Sequence, residues 1–129
     1  MANYYGTCRS NYFRVKDSEA FESEMDQIHS IAVQKGKDST YVILGDCPDG
    51  GGWPSWDYED NEIDLPLIVS THLADDEVAV FMEAGAEKLR YIVGYAEAIN
   101  SRGERASIGL NDIYKLAENL GSSITVAEY

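Results

Sequence analysis

Residues 77–110 read EVAVFMEAGAEKLRYIVGYAEAINSRGERASIGL, and this stretch decides the fold of the 129-residue chain. Its β-branched and aromatic side chains favour strands, and the expected strands cover residues 77–84, 89–99 and 105–110. Gly85 marks the expected turn between the first two, and Gly94 is a candidate site for a β-bulge in the second. Residues 101–104 form a turn before the third strand. Three strands joined by short turns predict an antiparallel meander.

The N-terminal flank predicts a strand, a helix and another strand. Residues 11–16 alternate between polar and apolar side chains, as in a half-buried strand. Asp17 or Ser18 can cap the helix, because each offers a side-chain oxygen to the unpaired amides of its first turn. This helix is expected to end at Gly36. Its apolar stripe comprises Phe21, Met25, Ile28, Ile31 and Ala32. Residues 40–44 predict the next strand.

Two further helices are expected. Residues 65–73 form one, with Pro66 in its first turn, where the missing amide hydrogen of proline costs nothing. Residues 111–112 cap the other, and its shared apolar face consists of Ile113, Leu116, Ala117 and Leu120. Residues 124–127 can add an edge strand. Together the elements predict a single α+β domain over residues 1–129, with a central antiparallel sheet and two to three helices packed on one side.

The composition indicates a folded protein of the reducing cytoplasm. Hydrophobic residues make up 44% of the chain and tyrosine occurs nine times, unlike in disordered acidic tails. Cys8 and Cys47 are too few cysteines for a secreted scaffold built on disulfides. Residues 1–9 lack the apolar core of a signal peptide, and the apolar runs are too short to span a bilayer. Anionic lipid would repel the chain, so we expect no membrane contact.

The net charge of −13 is confined to one part of the sequence. From Asp38 to Glu87 the chain has thirteen acidic residues and no Lys or Arg, whereas the remainder has ten residues of each sign. Ordinary surfaces mix both signs, so this stretch predicts an anionic surface. Proteins that hold nucleic acid present rows of Lys and Arg to its phosphates. The expected partner is therefore a basic nucleic-acid-binding protein, and direct binding of nucleic acid is not expected.

Candidate partner-binding residues lie within this acidic stretch. In an extended chain Asp60, Glu62 and Asp64 would point the same way at intervals of about 6.6 Å, which is of the order of the phosphate spacing in a nucleic-acid strand. Trp53 and Trp56 are large aromatics of the kind that anchor interfaces. The candidate set comprises Asp49, Trp53, Trp56, Asp57, Tyr58, Glu59, Asp60, Glu62, Asp64, Asp75, Asp76 and Glu77.

Simpler interpretations of the same residues stay open. Acids line the solvated face of many proteins, and Arg or Lys elsewhere in the chain can pair with them and weaken the field. Trp53 and Trp56 can belong to the core at the edge of the sheet instead of to an interface. If the anionic surface forms, the helix acids Glu19, Glu22 and Asp26 can extend it.

Catalytic and metal sites are not expected. Asp46, Asp49 and Asp57 surround a glycine-rich turn, but the order of ligands in a calcium-binding EF-hand loop is missing. The glycines at residues 50–52 lack the lysine and the spacing of a phosphate-binding loop. A cysteine nucleophile paired with His72 has no local signature. We predict a non-enzymatic protein without a cofactor or a metal ion.

Three segments of the chain carry a resemblance to known proteins. They are NYFRVKD at residues 11–17, GGGWPSWDY at residues 50–58 and EKLRYIVGYA at residues 87–96. Together they resemble a family of small acidic proteins carried by phages and other mobile elements. That family is similar in function to anti-CRISPR and anti-restriction proteins, several classes of which imitate DNA, although the net charge here is moderate for such a mimic.

The resemblance implies a cytoplasmic inhibitor whose partner is a Cas effector or a restriction enzyme. The carboxylates of the acidic stretch would then imitate the phosphates of DNA. The alternative is a small regulatory domain that grips a protein partner through the Trp-rich loop. The two hypotheses differ in their reliance on charge, and the sequence leaves the oligomeric state open.

Overall fold

The structure, a computed structural model, describes residues 4–46 and 51–127. Its strands are β1 (Tyr5–Ser10), β2 (Phe13–Arg14), β3 (Ile31–Lys35), β4 (Thr40–Gly45), β5 (Val78–Glu87), β6 (Tyr91–Asn100) and β7 (Arg105–Gly109). Its α-helices are α1 (Ser18–Met25), α2 (Leu65–His72) and α3 (Asp112–Ala117), and a 3-10 turn (Lys37–Ser39) precedes β4. The strands form one antiparallel sheet in the order β2-β4-β1-β5-β6-β7, and β3 also pairs with β4. The predicted α+β class is confirmed.

The predicted meander forms one half of this sheet. β5 and β6 pair along their full ten-residue lengths in an unbroken register, so the bulge proposed at Gly94 is wrong. The turn between them lies at residues 88–90, where Lys88 adopts a φ of 50°. The turn predicted at Gly85 is therefore wrong, since Gly85 lies inside β5. A glycine is required there because β1 approaches so closely that a side chain would collide with the backbone of Tyr5.

The first helix is shorter than predicted. The side chain of Asp17 caps it by accepting a hydrogen bond from an amide of the first turn, but α1 ends at Met25 and not at Gly36. Ser30 then adopts a φ of 66°, and the chain continues as β3. Ile31 therefore packs against the core from a strand. The spacing of the apolar residues fits both structures, and the left-handed turn decides between them.

The two ends of the chain also differ from expectation. The strand β1 was not predicted, and the strand expected at residues 11–16 is reduced to β2 and a single bridge from Val15 to Leu73. Residues 124–127 do not form a strand.

Helix α2 begins after Asp64 with Pro66 in its first turn, as expected.

Helices α1 and α2 cover one face of the sheet, and the core lies between these helices and the sheet. The buried core cluster comprises Phe13, Phe21, Met25, Ile28, Tyr41, Ile43, Leu65, Val69, Leu73, Ala79, Phe81 and Ile99. On the opposite face, which we call the open face, Met82, Ile92 and Ile108 are 54%, 65% and 70% exposed. Helix α3 has no buried residue. None of the helices in the described residues is long and apolar enough to cross a membrane.

Candidate partner-binding surface

Asp57 organises a tight loop in the acidic stretch. Its carboxylate accepts hydrogen bonds from the amides of Glu59 at 2.8 Å and of Asn61 at 2.9 Å. The Asp57 amide in turn donates to the carbonyl of Asn61 at 3.0 Å. The hydrogen bonds from Asn61, together with the one from Glu59, lower the pKa of Asp57 below its ordinary value. Asp57 therefore shapes the loop and remains ionised.

The extended row predicted for Asp60, Glu62 and Asp64 is wrong. Trp56 pairs with Glu62 across the loop, so the chain reverses direction between them. Asp60 adopts a φ of 62°, in the left-handed region that an extended strand excludes. The hydrogen bonds to Asp57 supply the local order, and they favour a turn over a strand. Glu59, Asp60 and Glu62 are nevertheless exposed at the surface of this loop.

Asp64 is held at the start of α2. Its carboxylate accepts a hydrogen bond from the Leu67 amide at 3.3 Å, which makes it the N-cap of the helix. Arg105 of β7 donates to both carboxylate oxygens, at 2.6 and 3.1 Å, and the same guanidinium also pairs with Glu97. The Arg105 guanidinium lowers the pKa of Asp64. Asp64 is thus a structural carboxylate, and Arg105 partly neutralises it.

The Asp57 loop packs against the end of α1. The Tyr58 amide approaches the Gln27 carbonyl oxygen at 3.4 Å. The ring of Tyr58 also meets the ring of His29 in an edge-to-face contact, with centroids 5.5 Å apart. Gln27 and His29 follow directly after α1. These contacts place the exposed loop carboxylates beside the C-terminal end of that helix.

Helix α1 continues the acidic character of the loop. Residues 17–34 contain no Lys or Arg. The carboxylate of Glu24 pairs with Nε2 of His72 on α2 at 2.6 Å, so one acid of the helix holds the two helices together. The remaining acids after the cap are exposed or half-exposed, and they are Glu19, Glu22 and Asp26.

A second acidic turn lies near the start of α1. The Ala74 amide donates to the Arg14 carbonyl at 3.0 Å, and the Arg14 amide donates to Glu77 at 2.7 Å. The Arg14 guanidinium also lies 3.9 Å from the Glu77 carboxylate, so Glu77 has a cationic neighbour. Asp75 and Asp76 are exposed in the same turn. Strand β2, which contains Arg14, leads directly into α1.

Exposed carboxylates therefore follow α1 from one end to the other. We call this set the acidic surface, and its residues are Glu19, Glu22, Asp26, Glu59, Asp60, Glu62, Asp75 and Asp76. Within residues 4–46 and 51–127, none of them forms an ion pair with Lys or Arg. The helix is about 12 Å long, so both acidic turns lie within the reach of one protein interface. Asp49 lies outside the described residues.

The two tryptophans have different environments. Trp53 is half-buried and packs edge-to-face on Phe81, with ring centroids 5.4 Å apart, so it belongs to the margin of the core. Its indole nitrogen has no hydrogen-bond partner in the described part of the chain. Trp56 is 51% exposed and Tyr58 is 69% exposed, both next to the loop carboxylates. Trp56 and Tyr58 are thus available to a partner.

A cluster around Glu83 was not anticipated from the sequence. Its carboxylate accepts hydrogen bonds from the Tyr4 hydroxyl at 2.9 Å, the Tyr95 hydroxyl at 3.1 Å and the Trp53 amide at 2.9 Å. Burial, reinforced by Glu83, raises the pKa of Tyr4 to about 12 and also raises the pKa of Tyr95. Glu83 thus joins Tyr4, Tyr95 and the Trp53 backbone through hydrogen bonds on the sheet face that the helices cover, and it is not part of the acidic surface.

The chemistry available at the acidic surface is that of many carboxylates and two exposed aromatic rings. In the part of the chain that the structure describes, no three His, Cys, Asp or Glu side chains are grouped so that they could hold a metal ion. Comparisons with family models, with curated proteins and with solved structures found no match to this chain.

Proposed function

We propose that this protein is a non-enzymatic inhibitor of a bacterial defence complex that binds nucleic acid, either a Cas effector or a restriction enzyme. In this proposal it acts in the host cytoplasm. One observation carries the proposal: the eight carboxylates around α1 form no ion pair with Lys or Arg in the described residues. A basic channel built for phosphates would accept such a surface in place of DNA.

The electrostatics of the acidic surface support this role. At physiological ionic strength the Debye length is about 8 Å, so neighbouring carboxylates along α1 act together on an approaching cation. A field of one sign steers a basic partner into position and speeds its association. The inhibitor would therefore bind quickly, and added salt would weaken its binding.

Exposed aromatic rings would add specificity to this attraction. Trp56 and Tyr58 flank Asp57, which holds the loop in one conformation. Large aromatic side chains at the centre of an interface often contribute most of its binding energy. In the proposed complex they pack against the partner between its cations, while Glu59, Asp60 and Glu62 pair with those cations.

The test compares two triple variants that change the net charge equally. The first replaces Glu59, Asp60 and Glu62 of the acidic surface by Lys. The matched control replaces exposed acids outside the surface by Lys, and these are Asp38, Asp46 and Glu118. Purified Cas effectors and restriction enzymes are assayed for binding of labelled target DNA in the presence of each protein, and phage plating on hosts with the same defence system provides a second measurement.

The proposal predicts that the wild-type protein and the control block DNA binding and restore plating. The acidic-surface variant is expected to lose both effects. Its inhibition should be about a hundredfold weaker or more, because each of the three charge reversals at a charged interface costs about 1 kcal/mol or more. Equal inhibition by the two triple variants would remove imitation of phosphate charge as the mechanism.

The exposure of Trp56 and Tyr58 favours a second candidate function. In that case the protein is a regulatory domain that binds its partner chiefly through these two rings. Binding would then depend weakly on salt, and Trp56→Ala would abolish it while the lysine variant retained it. The pair of measurements separates the two candidates.

A further inference from the structure

Most side chains on the open face of the sheet are apolar, in an otherwise acidic protein, and Arg9 of β1 is a charged exception. Side chains alternate between the two faces along a strand, so β5 and β6 place Glu83, Glu87 and Glu97 on the same face as the buried Phe81 and Ile99. The intervening residues on the open face are Val78, Val80, Met82, Ala84, Ala86, Ile92, Gly94, Ala96, Ala98 and Asn100. These two strands therefore present no charge on that face.

A groove crosses the open face. It has a volume of about 400 Å³ and is lined by Ala84, Gly94 and Ala96. Ile108 and Leu110 lie on one side of it, and Met82 and the exposed Arg9 of β1 lie on the other. Leu110 leans over Gly94, so closely that a side chain at Gly94 would touch it at 3.0 Å. Small residues at the base and branched residues at the rim make a surface that receives apolar side chains.

The open face and helix α3 together approach the area that a protein interface requires. Strands lie about 4.8 Å apart and advance about 3.3 Å per residue, so β1, β5, β6 and β7 together offer on the order of 500 Å². A stable interface buries about 800 Å² on each partner. Helix α3 and the residues after it supply further exposed apolar side chains, which are Ile113, Leu116, Leu120, Ile124 and Val126.

We infer that the open face binds a second copy of this chain, so that the protein is a homodimer with its two acidic surfaces directed away from each other. A twofold contact joins the same patch on both copies, and the apolar side chains of β5, β6 and β7 are self-complementary. Arg9 of β1 lies on the side of the patch away from β7. A basic partner would instead be drawn to the acidic surface. With a net charge of −13, two copies repel each other wherever carboxylates meet, and β5 and β6 place none on the open face.

The dimer also provides apolar side chains to fill the groove. Ile113 and Leu116 on α3 are 58% and 64% exposed, and they follow Leu110 at the rim of the groove. In the dimer they pack across the contact onto Ala84 and Ala96 of the second copy. Their removal from water drives the association.

The experiment measures the mass of the full chain in solution by sedimentation over micromolar concentrations. The inference predicts twice the mass of a single chain for the wild-type protein. Ile108→Glu and Met82→Lys are each expected to weaken the dimer at least about tenfold, because each introduces an unpaired charge into the contact. Lys is chosen at position 82 because Arg9 lies directly opposite and would pair with a Glu. Both side chains are already exposed in one copy, so the variants should fold. The two substitutions lie on different strands, β5 and β7, so they test the contact independently.

Leu67→Glu is the matched control, because Leu67 is an apolar residue of α2 that is 47% exposed on the side of the helices. This variant should dimerise like the wild-type protein, and circular dichroism checks that all variants are folded. A single-chain mass for the wild-type protein at every concentration would overturn the inference. A dimer that persists in both Ile108→Glu and Met82→Lys would overturn it equally. The inference is independent of the proposed function, because the test of that function measures DNA binding and phage plating and not the mass of the protein in solution.

Discussion

Arg105 on β7 and Asp64 at the start of α2 lie 41 positions apart in the sequence and are joined by hydrogen bonds of 2.6 and 3.1 Å. Asp64 also accepts a hydrogen bond from the Leu67 amide, so one carboxylate caps the helix and ties it to the sheet. Arg105 in turn contacts Glu97 of β6. Asp64 is therefore not part of the acidic surface, and its contacts stabilise the fold instead.

Substitution of Asp64 separates these two contributions. Asp64→Asn keeps a capping oxygen and loses the ion pair, which is half-exposed, so we expect a loss of at most about 1 kcal/mol. Asp64→Ala removes the cap as well and should cost roughly another 1 kcal/mol. Urea unfolding measures both. Asp75→Ala serves as a control that removes an exposed acid, with an expected change within about 0.5 kcal/mol. Equal stabilities of the Asn and Ala variants would contradict the capping role.

The stability contributed by Asp64 should depend on pH in a defined direction. The folded protein lowers the pKa of this carboxyl, so it favours the charged form. The contribution is therefore complete above the ordinary carboxyl pKa of about 4 and is lost as the pH falls through the lowered value. The stability difference between wild-type protein and Asp64→Asn should shrink in this acidic range. Unfolding curves at several pH values measure it, and a difference that grew on acidification would contradict the assignment.

Asp57 should act on binding through the shape of its loop. Its carboxylate organises the amides of Glu59 and Asn61, so Asp57→Ala should loosen the loop, whereas Asp57→Asn retains an acceptor. We expect faster amide exchange at residues 58–61 and weaker partner binding for the Ala variant, with largely preserved exchange protection for the Asn variant. If Asp57→Asn alters exchange as strongly as Asp57→Ala, the carboxylate charge and not its hydrogen bonding would be responsible.

The phenols bound to Glu83 should ionise late. Burial and the Glu83 carboxylate raise the pKa of Tyr4 to about 12, so the folded state favours its neutral form. The stabilisation is therefore present below the ordinary tyrosine pKa of about 10 and is lost as the pH rises through about 12. Absorbance at the phenolate band should show this late transition. Tyr4→Phe should remove one late phenol, and Glu83→Gln should move the transition part of the way down. A titration unchanged by both variants would contradict the assignment.

The meander, α2 and the class of the fold could be predicted because short-range signals in the sequence decide them. The β-branched and aromatic residues of the segment 77–110 and Pro66 in the first turn of the helix act over a few positions. β3 could not be predicted in the same way. Its apolar residues continue the helical spacing of α1, and only the left-handed Ser30 and the pairing with β4 select a strand.

The candidate site was predictable in composition and not in arrangement. Exposed carboxylates at Glu59, Asp60 and Glu62 follow from the sequence, but their position beside α1 depends on the contact of Tyr58 with Gln27. Such a contact joins segments distant in sequence, and charge patterns contain no information about it. Ion pairs such as Arg14 with Glu77 are equally non-local, and they determine which acids remain without a cation.

Salt should act in opposite directions on the two associations proposed for this protein. Binding of a basic partner to the acidic surface relies on attraction between unlike charges, so its dissociation constant should rise as salt screens them. Association of two open faces brings together chains that each carry a net charge of −13. Screening reduces that repulsion, and higher salt also favours apolar contact. Sedimentation and DNA-competition assays across one salt series measure both constants. A dimer that dissociates as salt rises would indicate a contact through ion pairs and would exclude the open face as its basis.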